Sequence, residues 1–237
     1  MSKRAILLAG GKGTRLYPYT VVFPKPLMPI GPYPILEVVV RQLVHAGFSH
    51  ITMAVNHQAE LIRAFFGGGE KWGILIDYSQ EDTPLGTIGP LRLMKDLPEN
   101  FLVMNGDILT DLNFAAFYDA HLAAQSLFTI SSYIRKQFID YGLLETDNHG
   151  YLSGFKEKPQ KEYEVSMGIY MVNRKVIDIV PVGITYGFDS LMHDLLASKR
   201  KVVVCKFSGY WLDIGRSDDY AQAIKEFESM KSRFIHD

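Results

Sequence analysis

The stretch LAGGKGTRLYPYTVVFPKPLMPIG, residues 8–31, constrains this chain more than any other part of it. It overlaps the end of a five-residue apolar run, Ala5–Ala9, and sets Gly10, Gly11 and Gly13 beside the cations Lys12 and Arg15. Pro18, Pro24, Pro26 and Pro29 follow. Each proline fixes φ and removes a backbone donor, so the segment cannot continue as a helix. Buried strand, glycine turn, cation is an order in which α/β proteins hold phosphates. Ligands sit at the carboxyl ends of parallel strands, and glycines let backbone N–H groups approach anionic oxygens. By themselves these residues fit equally a solvated glycine turn.

The rest of the chain supplies the sheet that such a turn requires. Ala5–Ala9, Ile51–Val55, Ile74–Tyr78 and Phe101–Met104 read as buried strands. Ile35–Ala46, Gln58–Phe66 and Gly86–Leu97 carry helical spacing between them, with Asn56 and either Asp111 or Asn113 as candidate caps. In the second half, Leu127–Ile134, Tyr141–Glu145, Leu152–Lys156, Val165–Val172 and Lys201–Phe207 read as strands, with a turn at Asp147–Gly150. Lys175–Val180, Asp189–Ser198 and Ser217–Met230 read as helices. The expected fold class is α/β: a Rossmann-like, mixed but mostly parallel sheet with helices on both faces. One domain over 1–237 is expected, with a nucleotide half over roughly 1–112 and a sugar half over roughly 113–237.

Two common phosphate fingerprints fail. A Walker A loop needs Ser or Thr after its Lys, but Lys12 precedes Gly13. A dinucleotide G-x-G-x-x-G beginning at Gly11 would need glycine where Leu16 stands. A longer pattern does match. G-G-x-G-T-R-L-x-P-x-T over residues 10–20, followed by P-K-P-L over 24–27, resembles the signature of the sugar-1-phosphate nucleotidyltransferases, the NDP-sugar pyrophosphorylases. Glu81-Asp82-Thr83-Pro84-Leu85-Gly86-Thr87 is similar to that family's base-binding loop, and Asn105-Gly106-Asp107 to its N-G-D element. Glu157-Lys158-Pro159, Trp211-Leu212-Asp213-Ile214-Gly215 and Asp219-Tyr220 complete the series in the family's order. The run P-L-G-T-I-G-P-L resembles the mannose-1-phosphate guanylyltransferase branch.

The resemblance implies a nucleotidyltransferase / GT-A-like fold and a reaction. A sugar-1-phosphate oxygen attacks the α-phosphorus of a nucleoside triphosphate, and pyrophosphate leaves. Arg15, Lys25 and Asp107 are the implied catalytic residues. Leu8, Ala9, Gly10, Gly11, Gly13 and Thr14 would wrap the nucleotide, with Glu81, Gly86 and Thr87 at the base. Asn105, Gly142, Glu157, Lys158, Ser166 and Asp213 would hold the sugar phosphate, the missing side chain of Gly142 leaving room for the ring. Asp107 and Asp213 would hold Mg2+ or Mn2+, since magnesium takes one or two carboxylates and fills its octahedron with water and phosphate. Read alone, either Asp is as well explained by capping, and Lys158 sits with Lys156 and Lys161 on what could be a wet face.

Glu81 bears on the base. Relatives that use uracil or thymine often have Gln here. A carboxylate instead suits the adjacent N1–H and N2–H2 donors of guanine, so the residue leans towards GTP, unless it points to solvent and leaves base reading to the backbone. Ser166 stands where the family has Asn and offers one donor rather than two; the expected sugar is mannose, a heptose or a related one. Ile88 stands where Ala is usual. UTP, dTTP or CTP is the alternative nucleotide, and a non-catalytic nucleotide-sugar-binding regulator the alternative class.

Bulk properties narrow the setting. Formal charge is −1, from 25 Lys and Arg against 26 Asp and Glu, so no basic surface suggests nucleic acid. The lone cysteine, Cys205, excludes an internal disulfide and fits a reducing, cytoplasmic setting. Ala5–Ala9 is too short for a signal core or membrane span. The hexapeptide β-helix found in many relatives is not expected, so acetyltransferase activity is not expected and any homodimer would form through the catalytic domain itself.

Overall fold

The computed structural model describes residues 2–236 apart from Lys12, His57 and Asp82, so the expectations resting on Lys12 as a loop cation and Asp82 in the base loop lie outside the described residues. In chain order the elements are β1 (Lys3–Leu8), β2 (Pro29–Ile30), β3 (Tyr33–Pro34), α1 (Ile35–His45), β4 (Phe48–Val55), α2 (Ala59–Phe66), β5 (Leu75–Gln80), β6 (Asn100–Asn105), β7 (Ile108–Thr110) and α3 (Phe114–Ala124). Then come β8 (Phe128–Phe138), β9 (Leu143–Thr146), β10 (Leu152–Lys156), β11 (Gln160–Asn173), α4 (Phe188–Ala197), β12 (Val202–Phe207), β13 (Trp211–Asp213) and α5 (Ser217–Phe234). Seven strands form one sheet in the order β12-β8-β11-β6-β1-β4-β5. β11 runs antiparallel to both its neighbours; every other pairing in this sheet is parallel. The fold is therefore the mixed, mostly parallel α/β sheet that the apolar runs predict. The pairing of β6 with β11 joins the two halves of the sequence in one sheet.

Alternation along the strands divides the core. In β6, Leu102 and Met104 face one layer while Phe101 and Val103 face the other. The first layer is closed by α1, α2 and α3, through Leu36, Val39, Leu43, Ile62, Phe66, Phe114 and Phe117. The second is closed by α4 through Leu191 and Leu195, and by Ile88 and Leu91. Each such side chain contributes about 1.5–3 kcal/mol by leaving water. α5 packs Ala223, Phe227 and Phe234 on a third cluster with Leu109, Leu212 and Ile214, which ties the small β7–β13 ladder to the body.

Three local expectations are corrected and one open choice is decided. Gly86–Leu97 is not an α-helix: Gly86 adopts φ +81° and Pro90 lacks a donor, so the chain makes turns and a short 3-10 helix over Gly89–Leu93. Lys175–Val180 is likewise a 3-10 turn, Arg174–Asp178, capped by Asn173 and followed closely by Pro181. Asn56 does not cap α2; Gln58 stands at that position in left-handed backbone. Asn113, not Asp111, caps α3 by accepting the Ala116 N–H at 2.9 Å, while Asp111 binds Arg233. The proline-rich stretch forms three short 3-10 turns and no α-helix, as its prolines dictate. Among the described residues, no helix is long and apolar enough to cross a membrane.

Candidate active site

The carboxyl ends of β1, β4, β5 and β6 are adjacent in the sheet. The residues leaving them, Leu8 and the glycine loop, Asn56, Glu81, and Asn105 to Asp107, line one cleft of about 480 Å3. Arg15, Lys25, Gly86, Thr87 and Asp213 complete its wall. Parallel register brings these positions together: Leu8 pairs with Ala54 on one side and Asn105 on the other. Ala9 donates to the Ala54 carbonyl and Gly106 to that of Leu8, so the loops leave the sheet already fixed. Thr20 donates to the Gly13 carbonyl at 2.9 Å, folding the proline segment back onto the glycine loop. Thr14 begins the short 3-10 turn that carries Arg15 into the cleft.

Charge is concentrated at one end of the cleft. The Lys25 ammonium is ion-paired with Asp107, both side chains about 12% exposed. Asp213 reaches the same place from a distant part of the sequence, because β13 pairs antiparallel with β7 and sets Asp213 opposite Ile108. Ile214 donates to the Asp107 carbonyl at 2.9 Å, which locks the two turns together. Burial, with the neighbouring Asp107 charge, pushes the Asp213 carboxyl above the usual carboxylate range; Lys25, the Gly215 N–H and Arg15 pull the other way. Two carboxylates, one ammonium and one guanidinium thus face a common space. Among the described residues no cluster of three His, Cys, Asp or Glu forms a protein-only metal cage. An ion held by two carboxylates would complete its shell with water or substrate oxygens.

At the opposite end, Glu81 accepts the Leu85 N–H on Oε2 at 2.8 Å and lies 3.5 Å from Asn56 Nδ2 through Oε1. It therefore stiffens its own loop rather than pointing to solvent, and Oε1 remains the less committed oxygen. The loop is clamped from the second half of the chain. The Tyr186 N–H donates to the Leu85 carbonyl, the Tyr186 carbonyl accepts from Ile88 and Gly89, Phe188 N–H donates to Thr87 Oγ1, and a Cβ on Gly86 would lie 2.8 Å from the Tyr186 carbonyl. Sequence reasoning missed both partners. Asn56 carried a signal, a polar residue just past a buried strand; Tyr186 carried none.

Of the residues expected at the sugar, Asn105 and Asp213 line this cleft, whereas Gly142, Glu157, Lys158 and Ser166 do not. Gly142, Glu157 and Lys158 lie on an exposed arm formed by β9, β10 and the outer parts of β8 and β11. The space beside Gly142 is occupied by Phe155, whose ring would lie 2.6 Å from an added Cβ, so in this structure the missing side chain accommodates that ring. Lys158 pairs with Asp140 at 2.9 Å, both well exposed. Ser166 donates to the Tyr170 phenol at 3.2 Å and accepts the Gly168 N–H. Asn105 lines the cleft beside Asp107 and Asp213. Ile88 is fully buried in the second core layer, so its bulk fills the interior.

Comparison with known proteins agrees with this geometry. The family model described as nucleotidyl transferase matches residues 4–230. A UTP–glucose-1-phosphate uridylyltransferase from Synechocystis is 33% identical, over 94% of this chain and 62% of its own length. The mannose-1-phosphate guanylyltransferase catalytic subunit beta of Drosophila pseudoobscura is also 33% identical, over 92% of this chain and 60% of its own. The chain thus spans about three fifths of the length of these curated relatives. The crystal structure of HddC from Yersinia pseudotuberculosis, complexed with GMP-PN, is 25% identical with a TM-score of 0.71, covering 95% of this chain and 99% of that one. Matched by the family model from residue 4 to residue 230, the chain belongs to the nucleotidyl transferase family, as a relative of the sugar-1-phosphate nucleotidyltransferases.

Proposed function

We propose that this chain transfers a nucleoside monophosphate from a nucleoside triphosphate to a sugar-1-phosphate, releasing pyrophosphate. The observation that carries this reading is the convergence of Arg15, Lys25, Asp107 and Asp213 at one end of a glycine-walled cleft and Glu81 at the other. That separation suits a nucleotide lying along the strand ends, phosphates at the charged end and base at Glu81. Gly10 and Gly11 present backbone to the phosphates. Arg15 and Lys25 neutralise oxygens on which charge develops during displacement. Lys25 begins paired with Asp107, so an arriving triphosphate competes with that carboxylate for the ammonium. Asp107 and Asp213 would hold a divalent cation, Mg2+ or Mn2+, which when bound neutralises phosphate charge. Their fit rests on the donor set: two carboxylates brought into one cleft, the number magnesium takes when water and phosphate oxygens complete its shell. Asn105 orients the sugar-phosphate end. No protein nucleophile is required; positioning and electrostatics carry the transfer.

We read the base as guanine. Glu81 Oε1 faces the cleft with only a long contact to Asn56, and each carboxylate oxygen has two lone pairs, so the pair of guanine donors can still be met. The GMP-PN complex of the HddC structure supports this; the uridylyltransferase relative favours UTP as the second reading. For the sugar we propose mannose, a heptose or a related hexose as the 1-phosphate, with Gly142, Glu157, Lys158 and Ser166 acting after the arm approaches the cleft.

Pyrophosphate release with Mg2+ tests this across GTP, UTP, dTTP, CTP and ATP, each with mannose-, glucose- and heptose-1-phosphate. Release with GTP is the expected result. Release with UTP alone keeps the reaction and overturns the base assignment. Silence throughout, with nucleotide-sugar binding retained, replaces the enzyme with a binding regulator.

A further inference from the structure

Asp213 is the one charged residue of the cleft that arrives on a very short strand. β13 is three residues long and pairs only with β7, itself three residues long. A two-stranded ribbon of that size is marginal by itself, so something else must fix where Asp213 points. The structure supplies a second tether. Asp219, only 3% exposed, accepts the backbone N–H of Asp213 on Oδ2 at 3.2 Å. The same carboxylate is gripped by Arg135, with Nη1 to Oδ2 at 2.9 Å and Nη2 to Oδ1 at 2.6 Å. The Arg135 guanidinium also lies over the Trp211 ring, 5.8 Å from its centroid, and Trp211 Nε1 donates to the Met167 carbonyl at 3.0 Å.

A simpler role for Asp219 exists. It lies in the first turn of α5, where an acid is favoured by the helix dipole. That role explains neither the reach back to Asp213 nor the planar two-bond grip. A bidentate Arg–carboxylate pair fixes orientation as well as charge. As a source of stability, a buried ion pair roughly cancels against its desolvation, so stability alone does not account for it.

We propose that Arg135 and Asp219 are positioning residues for the transfer centre: their ion pair holds the Asp213 backbone so that its carboxylate stays beside Asp107. Arg135 comes from β8, the strand that continues into the exposed arm, and Asp219 from α5. The brace thus ties the acid pair to the strand that carries the sugar-side arm. This inference rests on the proposed function, because it needs Asp213 to act on the phosphates or their cation.

The test uses the full chain with Arg135→Gln, Asp219→Asn and the double substitution, and Asp213→Asn as control. Mn2+ binding is read by electron paramagnetic resonance, without turnover, and kcat and KM by pyrophosphate release. Loss of a group that orients a metal-holding carboxylate costs about 10- to 100-fold in metal affinity or activity. Each single variant is expected to lose that much in both Mn2+ affinity and kcat, with the KM for nucleotide within about twofold. The double variant is expected to lose no more than the worse single, because the pair acts as one unit. The double variant also leaves no buried charge unpaired, so it reports even if a single variant folds poorly. Thermal stability that falls while Mn2+ affinity and kcat stay unchanged overturns the brace and leaves Asp213 in place. If Asp213→Asn itself leaves Mn2+ binding and turnover unchanged, the proposed function fails at Asp213 and the brace fails with it.

Discussion

The strand-end cleft and the sugar-side arm differ in what holds them. The cleft is built on four parallel strands, three of them paired on both sides and β5 at the sheet edge paired with β4, and its loops are short extensions of those strands. Its candidate residues arrive together. The arm is a two-stranded ladder and the outer reach of β8 and β11, with Phe138, Leu144, Tyr151, Leu152 and Phe155 all more than half exposed. A parallel sheet arranges the residues at its strand ends before any ligand arrives; a two-stranded hairpin is marginal by itself and does not bring its residues to that cleft.

The sharpest break in this comparison is Asp107→Asn. It removes one of the two acids at the charged end of the cleft without disturbing the sheet, and turnover should fall on the order of 10³-fold or more. Folding should survive, because Lys25 keeps Asp213 as a partner. Circular dichroism and pyrophosphate release on the same preparation check both halves of the statement. Turnover within tenfold of wild type would remove Asp107 from the chemistry and leave the cleft a binding groove.

A smaller effect lies at the other end of the same cleft. Glu81→Gln trades two acceptors for one acceptor and one amide donor. Hydrogen bonds to a charged group contribute about 1.5–3 kcal/mol, so the ratio of kcat/KM for GTP over UTP should drop by about 10- to 100-fold. Because Glu81 also accepts the Leu85 N–H, Gln can retain that bond through its carbonyl and the loop should keep its shape. An unchanged ratio assigns base reading to the backbone around Gly86.

What the sequence made legible follows the same division. Ala5–Ala9, Ile51–Val55 and Phe101–Met104 could be read because a buried parallel strand is a short apolar run whatever its neighbours do. Arg15, Lys25 and Asp107 could be placed because they follow such strands or sit between prolines. Three things could not be read. The Gly86–Leu97 stretch has helical spacing, but its glycines and Pro90 are held in turns by Tyr186, about a hundred residues away. Gly142 signalled close approach, yet the group approaching is Phe155, and glycine alone does not say which. Asp219 was visible only as part of a motif; its grip by Arg135 depends on the register of β8 and the start of α5, which no local pattern fixes.

For the arm, Lys158→Ala is the informative change. Its present partner, Asp140, is exposed, and such pairs contribute little to stability. If the arm reaches the cleft when sugar phosphate binds, the KM for sugar-1-phosphate should rise about tenfold, equal to about 1.4 kcal/mol, with the nucleotide KM unchanged. No change in either constant would make the arm a bystander and confine sugar recognition to Asn105 and its neighbours.

The two ends of the strands offer the last and smallest contrast. The carboxyl ends expose charge to a cleft; near the amino ends of β6 and β8 lies a neutral, closed network. His121 is buried, with Nδ1 2.7 Å from Thr129 Oγ1 and Nε2 3.1 Å from Asn100 Oδ1. Asn100 Oδ1 also accepts from Asn173 Nδ2, so it acts as an acceptor and His121 must donate through Nε2. That assignment makes Nδ1 the acceptor of the Thr129 hydroxyl, so a second ring proton requires that hydroxyl to turn and accept instead. Burial accordingly lowers the His121 pKa from its ordinary value. The unfolded chain therefore takes up the proton first, and stability held at neutral pH is lost as pH falls below about 6.5, the value of a free histidine. The melting temperature of the wild type should decline between pH 7 and pH 5 more steeply than that of His121→Gln, which cannot titrate in that range. Parallel slopes for the two proteins would mean that the network accepts the extra proton by rearranging, and that this end of the sheet is not the closed structure its hydrogen bonds describe.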